Sequence, residues 1–274
     1  MTNGTTLNSK KNTTFELIEG LLEDHEIYTY YHSIEVGVMS WVMGSLLGLD
    51  PEKCFQLGLL HDIGKLGIDS SILSLRFLLN LDKIWNDDHT EQVPFQYRLN
   101  DDERNILHKH GVFGKMILKH LGFDSLFQQV AEDHGKNTLA FRDDEPLELM
   151  IVTLADWFSA IKDTYRNKSR GTDWNSIEKA KEKMENLFSE PSTNLPEEVK
   201  QAFWDMINIF NIYPPEGKEN GEIFYWYRLF NPFYKDLTTE DRKKPLRSEE
   251  LIQQVKVFYL TLPDLGDIKR KMQP

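Results

Sequence analysis

From Phe15 to Ile209 apolar residues recur at intervals of three and four, and no stretch alternates with period two. That spacing turns one face of each segment toward a shared core and leaves no half-buried strand pattern. The chain is therefore expected to be all-α, a helical bundle. A short helix is expected over Phe15–Leu22 and a long one over Tyr28–Leu47, with Tyr28, His32, Val36, Met39, Met43 and Leu46 along one stripe. Gly48 and Pro51 interrupt the pattern, and Asp50 is placed to cap a third helix through Cys54, Leu57 and Leu60. A fourth, from about Asn100, carries Ile106, Leu107, His110, Phe113, Gly114, Ile117 and Leu121 on one face. A fifth carries Phe123, Leu126, Phe127, Val130, Ala131 and His134. Leu147–Ile161 is apolar nearly all round, which predicts a central buried helix. Ser176–Phe188 and Pro196–Ile209 complete the set.

Three stretches fall outside this bundle of residues 15–210. Residues 1–14 are polar and read as a disordered lead. Residues 76–98 form an aromatic and acidic insert, whose Trp85, His89, Phe95 and Tyr97 suit either a lid over a ligand or a surface excursion that packs down. Residues 211–274 open on Pro214, Pro215 and Gly217, and continue with Phe224, Tyr225, Trp226, Tyr227 and Phe230. They read as a C-terminal appendage, its aromatics either packing on the bundle or joining two copies as a homodimer.

Composition narrows the function. Lys and Arg number 32 against 44 Asp and Glu, a formal net charge of −12. That balance argues against a broad basic face for nucleic-acid polymers, since such affinity comes from cationic side chains neutralising phosphates. A small phosphorylated ligand stays compatible where bound metal reverses the local charge. The single cysteine, Cys54, excludes an internal disulfide and a thiolate zinc site. No run approaches the roughly 20 apolar residues needed to cross a bilayer, and residues 1–14 lack an apolar signal core. A cytoplasmic protein without membrane attachment is expected.

The most informative segment is His61-Asp62-Ile63-Gly64-Lys65. Adjacent helical residues project about 100° apart, so His61 and Asp62 straddle a corner. One can take a metal while the other bridges to a second. Lys65, three residues after Asp62, returns to the same side, where its ammonium could meet a phosphate oxygen. His32, His110 and His134 each lie on the apolar stripe of a separate predicted helix, and Asp156 lies inside the most apolar one. A buried aspartate is costly without a cation or several donors. Several helices each directing one imidazole or carboxylate inward favour a shared centre of nitrogen and oxygen ligands, suited to Mn, Fe, Zn, Ni or Mg. His25, His108 and His120 read as surface or structural residues.

Five segments resemble the HD-domain metal-dependent phosphohydrolases, and within them the HD-GYP group of cyclic-dinucleotide phosphodiesterases. They are Tyr28–Ser33, Leu60–Ile68, Leu99–Arg104 with His110 and Gly114, Leu154–Ala160, and Tyr165-Arg166. The resemblance covers roughly Phe15 to Ile209 and implies an HD-domain helical bundle. It implies that His32, His61, Asp62 and Asp156 hold one divalent metal, that Asp62, His110 and His134 hold a second, and that Lys65 and Arg166 contact substrate phosphate. Tyr28 stands where members with a third metal carry glutamate, which points to two. The family's paired histidines are replaced by Asp133-His134, with Asp133 the candidate stand-in ligand, and its Gly-Tyr-Pro loop is absent. The function implied is a phosphodiesterase that cleaves a cyclic dinucleotide, c-di-GMP or similar, with a metal-bridged hydroxide as nucleophile and Asp62 and Lys65 as the catalytic pair. Two other readings fit the same residues: a nucleotide phosphohydrolase or phosphomonoesterase, and a non-catalytic nucleotide-binding module.

Overall fold

A computed structural model describes residues 20, 21, 25, 27–69, 72, 73, 100–136, 138–162 and 177–212. The insert 76–98, Arg166, the lead 1–14 and residues 213–274 of the appendage lie outside them. Along the described residues run α1 Ile27–Leu47, α2 Pro51–Leu60, α3 Asp101–His108, α4 His110–His120, α5 Ser125–Asp133, α6 Leu147–Lys162, α7 Ile177–Phe188 and α8 Glu197–Ile212. A 3₁₀ turn, Ile63–Gly67, follows α2. No strand occurs among the described residues, as the apolar period predicts.

Local chemistry fixes the ends. Asp50 accepts from the amides of Glu52 and Lys53 and Pro51 opens the first turn, so α2 starts where the chain cannot extend α1. Asn100 and Glu103 form a reciprocal capping box on α3, and the acidic run Asp101–Glu103 sits at the positive end of that helix. Asp124 caps α5 through the amides of Leu126 and Phe127. Gly48 and Gly122 take positive φ, 73° and 78°, just past α1 and α4, a conformation that glycine adopts without strain.

One main core joins these elements except α3, whose buried Leu107 packs with Ile68 and Leu73 in a second, smaller cluster. Helix α1 lies at the centre of the main core, packed on α2, α6 and α8. Residues Ser33–Ser40 are buried without interruption, so the single stripe expected for this helix understates it, because neighbours cover it on three sides. The predicted central helix, α6, is likewise buried through Leu149–Ala155. Backbones approach closely where side chains are missing: a Cβ on Gly58 would lie 2.7 Å from the Gly37 Cα, which locks α1 against α2.

The single helix expected from Asn100 to Leu121 is two helices. Lys109 separates them at φ −82° and ψ −5°. The Leu107 carbonyl accepts instead from the His110 ring at 2.6 Å, and this side-chain claim on a ladder acceptor accompanies the break. His108 then points to solvent while His110 turns inward.

Candidate metal centre

The signature residues His61 and Asp62 lie just past the C-terminus of α2, in the turn leading to the 3₁₀ segment, rather than within a helix. Both are buried, as is Lys65 on that segment. Lys65 Nζ pairs with Asp62 Oδ2, the relation their spacing predicts. Around them converge His32 from α1, His110 from the first turn of α4, His134 from the end of α5 and Asp156 from α6.

The two oxygens of Asp62 face different partners. Oδ2 lies 3.4 Å from His61 Nε2 and 3.8 Å from His32 Nε2. Oδ1 lies 3.4 Å from His110 Nε2 and 3.5 Å from His134 Nε2. Asp156 Oδ1 closes the first side, 2.9 Å from His32 Nε2 and 3.7 Å from His61 Nε2. Ligating atoms of His32, His61 and Asp156 fall within 4.8 Å of one another, and so do those of His61, Asp62 and His134.

Ring orientation is set by the helix ends. Nδ1 of His61 donates to the Gly58 carbonyl at 2.6 Å, that of His110 to Leu107 at 2.6 Å, and that of His134 to Val130 and Ala131 at 3.1 Å. Each acceptor lies in the preceding turn, where carbonyls lose their helical partners. With Nδ1 donating, Nε2 presents a lone pair, the form in which imidazole binds metal. His110 Nε2 and His134 Nε2 then face each other at 3.1 Å, two lone pairs that repel unless a proton or a metal cation lies between them. His61 Nε2 is fully enclosed, has no hydrogen-bond partner among the described residues, and looks onto two carboxylates. These orphaned nitrogens, grouped with buried carboxylates, fit a divalent cation.

Burial opposes charge on His61, but the charges of Asp62 and Asp156 prevail and push its pKa up to about 9, so the two carboxylates draw positive charge to this point. Burial also opposes the charge of Asp62, yet Lys65 and His61 hold its carboxyl well below the usual range. Asp156 is held low against burial by His32 and His61. Burial pushes the His110 imidazole down to about 4, against the pull of Asp62 and with the help of His134 and Lys65, so it is neutral as a ligand must be.

Asp133 is half-buried, and neither it nor His110 belongs to either of these two groups of three among the described residues. Three residues not foreseen as part of the site flank it. Ser159 Oγ lies 3.0 Å from His32 Nδ1 and donates to Glu35 Oε2 at 2.5 Å. His25, read as surface or structural, holds the carbonyls of Lys65 and Ile68 through Nε2 at 3.1 and 2.8 Å. The available signal was spacing: Glu35 follows His32 by three on α1, as Ser159 follows Asp156 on α6.

Among solved structures the chain is similar to the HD domain of the L. monocytogenes phosphodiesterase PgpH in complex with cyclic-di-AMP. Identity is 17%, the TM-score 0.49, and the match covers 73% of this chain and 99% of that one. The same domain described without that ligand matches at 17% identity and TM-score 0.49, over 71% and 97% of the two chains. No curated protein matches by sequence. No described helix is long and apolar enough to cross a membrane. Residues 29–161 match the HD domain family, and that segment contributes every imidazole and carboxylate of the centre.

Proposed function

We propose that the protein is a phosphodiesterase that opens a cyclic dinucleotide at a centre of two divalent cations. One observation carries the reading: the two oxygens of Asp62 face two separate sets of imidazoles. His32, His61 and Asp156 would hold one cation with Asp62 Oδ2, and His110 and His134 the other with Oδ1. Cations held there would supply Lewis acidity at the phosphorus centre and lower the pKa of water to the neutral range.

The chain's own residues do the rest. Asp62 faces both halves and joins them. Lys65, buried beside it, brings a positive charge to the phosphate as negative charge grows on its oxygens. The hydrogen bonds from Nδ1 of His61, His110 and His134 keep each ring in its ligating tautomer before substrate arrives. The Asp133 position is not required as a ligand in this scheme, because six side chains already converge. Arg166 is the candidate for a second phosphate contact. The cyclic-dinucleotide assignment rests on the signature Leu60–Ile68 and its resemblance to the HD-GYP group.

The test is turnover by the full-length protein, purified with its metals, on cyclic dinucleotides, linear dinucleotides and nucleoside mono- and triphosphates, with Asp62→Ala beside it. A linear dinucleotide should form in a metal-dependent way, and Asp62→Ala should lose both metal loading and product. Release of phosphate from monoesters with cyclic dinucleotides untouched would replace this assignment with a phosphomonoesterase. Tight ligand retention with no product from any substrate would identify a binding module.

A further inference from the structure

His32 differs from the other three histidines of the centre. They sit at helix ends and give Nδ1–H to carbonyls freed there. His32 lies within α1, where the carbonyls three and four residues back belong to the helical ladder. Its Nδ1 meets a side chain instead, Ser159 Oγ at 3.0 Å. That hydroxyl has one proton, and it goes to Glu35 Oε2 at 2.5 Å. Toward His32 the serine can therefore only accept, and Nδ1 must carry the hydrogen.

We propose that Glu35 is a positioning residue of the metal centre: it holds the Ser159 proton, makes Ser159 the acceptor for His32 Nδ1–H, and so presents the His32 Nε2 lone pair to a cation. The inference rests on the reading of His32 as a metal ligand. The arrangement is a pair of rungs between α1 and α6, His32 to Asp156 and Glu35 to Ser159, each pair three residues apart along its helix. Glu35 and Ser159 are 5% and 1% exposed. Burying a carboxylate between helices is costly, and an apolar side chain would fill the space more cheaply if packing were the only demand. Outer partners of this kind usually hold a ligating ring in orientation, and their loss weakens metal binding by about 10–100-fold.

The test uses the full-length chain stripped with chelator and titrated with Mn²⁺, comparing wild type, Glu35→Met, Ser159→Ala, the double variant and His32→Ala. Glu35→Met, which removes the acceptor at similar size, and Ser159→Ala should each weaken Mn²⁺ binding by about 10–100-fold, and the double variant should lose little more, because both break one relay. The melting temperature of the stripped proteins is read alongside; a merely structural role would lower it and leave the Mn²⁺ constant alone, which overturns the proposal. If His32→Ala binds Mn²⁺ as wild type does, the ligand assignment itself fails and the relay with it. If His32→Ala loses binding and the relay variants do not, only the relay fails. A second measurement needs no variant: nitrogen NMR of histidine in the Mg²⁺-loaded wild type should show His32 protonated at Nδ1, and an Nε2–H tautomer overturns the proposal.

Discussion

Gly64 offers the sharpest test of how the two halves of the centre are held together. Its backbone has no positive φ, so glycine is not there for conformational reasons. The reason is contact: a Cβ at this position would lie 1.8 Å from the His110 carbonyl oxygen and 2.5 Å from the Gly114 nitrogen. Against the 3.4 Å at which ordinary contact begins, the first overlap is about 1.6 Å, and both obstacles are backbone that cannot rotate aside. The side that yields can be argued from burial. Ile63, next to Gly64, is 0% exposed, whereas Val112 and Met116 on α4 are 49% and 62% exposed. The turn is anchored in the core, so Gly64→Ala should displace α4 and carry His110 away from Asp62. Overpacking of this size costs about 3 kcal/mol, a fall of about 6–12 °C in melting temperature for a domain of this length. Mn²⁺ titration of the stripped protein should show two ions per chain in wild type. In the variant the ion on the Asp62 Oδ1 side should be lost or weakened by about 10–100-fold, with the His32, His61 and Asp156 group still occupied. A variant that melts within a degree of wild type and binds both ions unchanged would refute the reasoning, and so would loss of both ions together.

Other consequences can be read with simple assays. The Asn194 side chain bonds both the amide and the carbonyl of the buried Phe141. Asn194→Ala should cost about 1–3 kcal/mol for backbone groups left unsatisfied, seen as a lower denaturation midpoint; an unchanged midpoint would show that water replaces the clamp. Cys54 is sealed against α1, where a Cβ on Gly44 would meet its sulfur at 2.6 Å. Burial, with Glu148 and Asp50, pushes its pKa up to about 12. Since the thiolate is the reactive form, a chromogenic disulfide reagent should label it only at the unfolding rate, and rapid labelling in native buffer would contradict this. Burial opposes the charge of Glu145, but Lys136 and the Arg142 amide outweigh it and hold the carboxyl low. A lowered folded pKa gives stability above the ordinary carboxylate range that disappears as pH falls through the folded value. Glu145→Gln should therefore melt below wild type at pH 7, by about 1.5–3 kcal/mol for a charge-assisted bond, and the gap should close in acid. A gap independent of pH would assign the effect to packing.

What could be read along the chain was whatever local spacing encodes. The stripes of α2, α5 and α6, the cap at Asp50 and the inward placing of His32, His61, Asp62, His110, His134 and Asp156 all follow from intervals of three and four or from a short signature. The break at Lys109 was not legible, because it accompanies the His110 ring taking the Leu107 carbonyl, a choice made by the centre rather than by helix propensity. Nor was the role of His25: its partners at Lys65 and Ile68 are 40 and 43 residues away, and no local pattern announces a contact of that kind. Asp133, the stand-in suggested by the family's paired histidines, is half-buried beside His134 and outside the two groups of three close ligand atoms among the described residues.

The glycines explain why these separate elements can serve one chemistry. His32, His61 and Asp156 come from α1, α6 and the end of α2, which share the deep core. His110 and His134 come from α4 and α5, a pair whose outer face is only partly covered. Between the two groups stands one side chain, Asp62, and its oxygens sit 3.4–3.8 Å from imidazole nitrogens on either side. A carboxylate has no length to spare, so the distance between the groups must be set by something stiffer than side chains. That spacer is backbone on backbone: Gly64 against His110 and Gly114, with Gly111 bringing α4 onto α5, where its Cβ would meet the Glu132 carbonyl at 2.6 Å. Any side chain in this seam would widen it by more than a hydrogen bond tolerates. The glycine of the signature is thus as much a part of the centre as its histidine and aspartate. It holds two imidazole groups, anchored in differently packed parts of the fold, within reach of a single carboxylate.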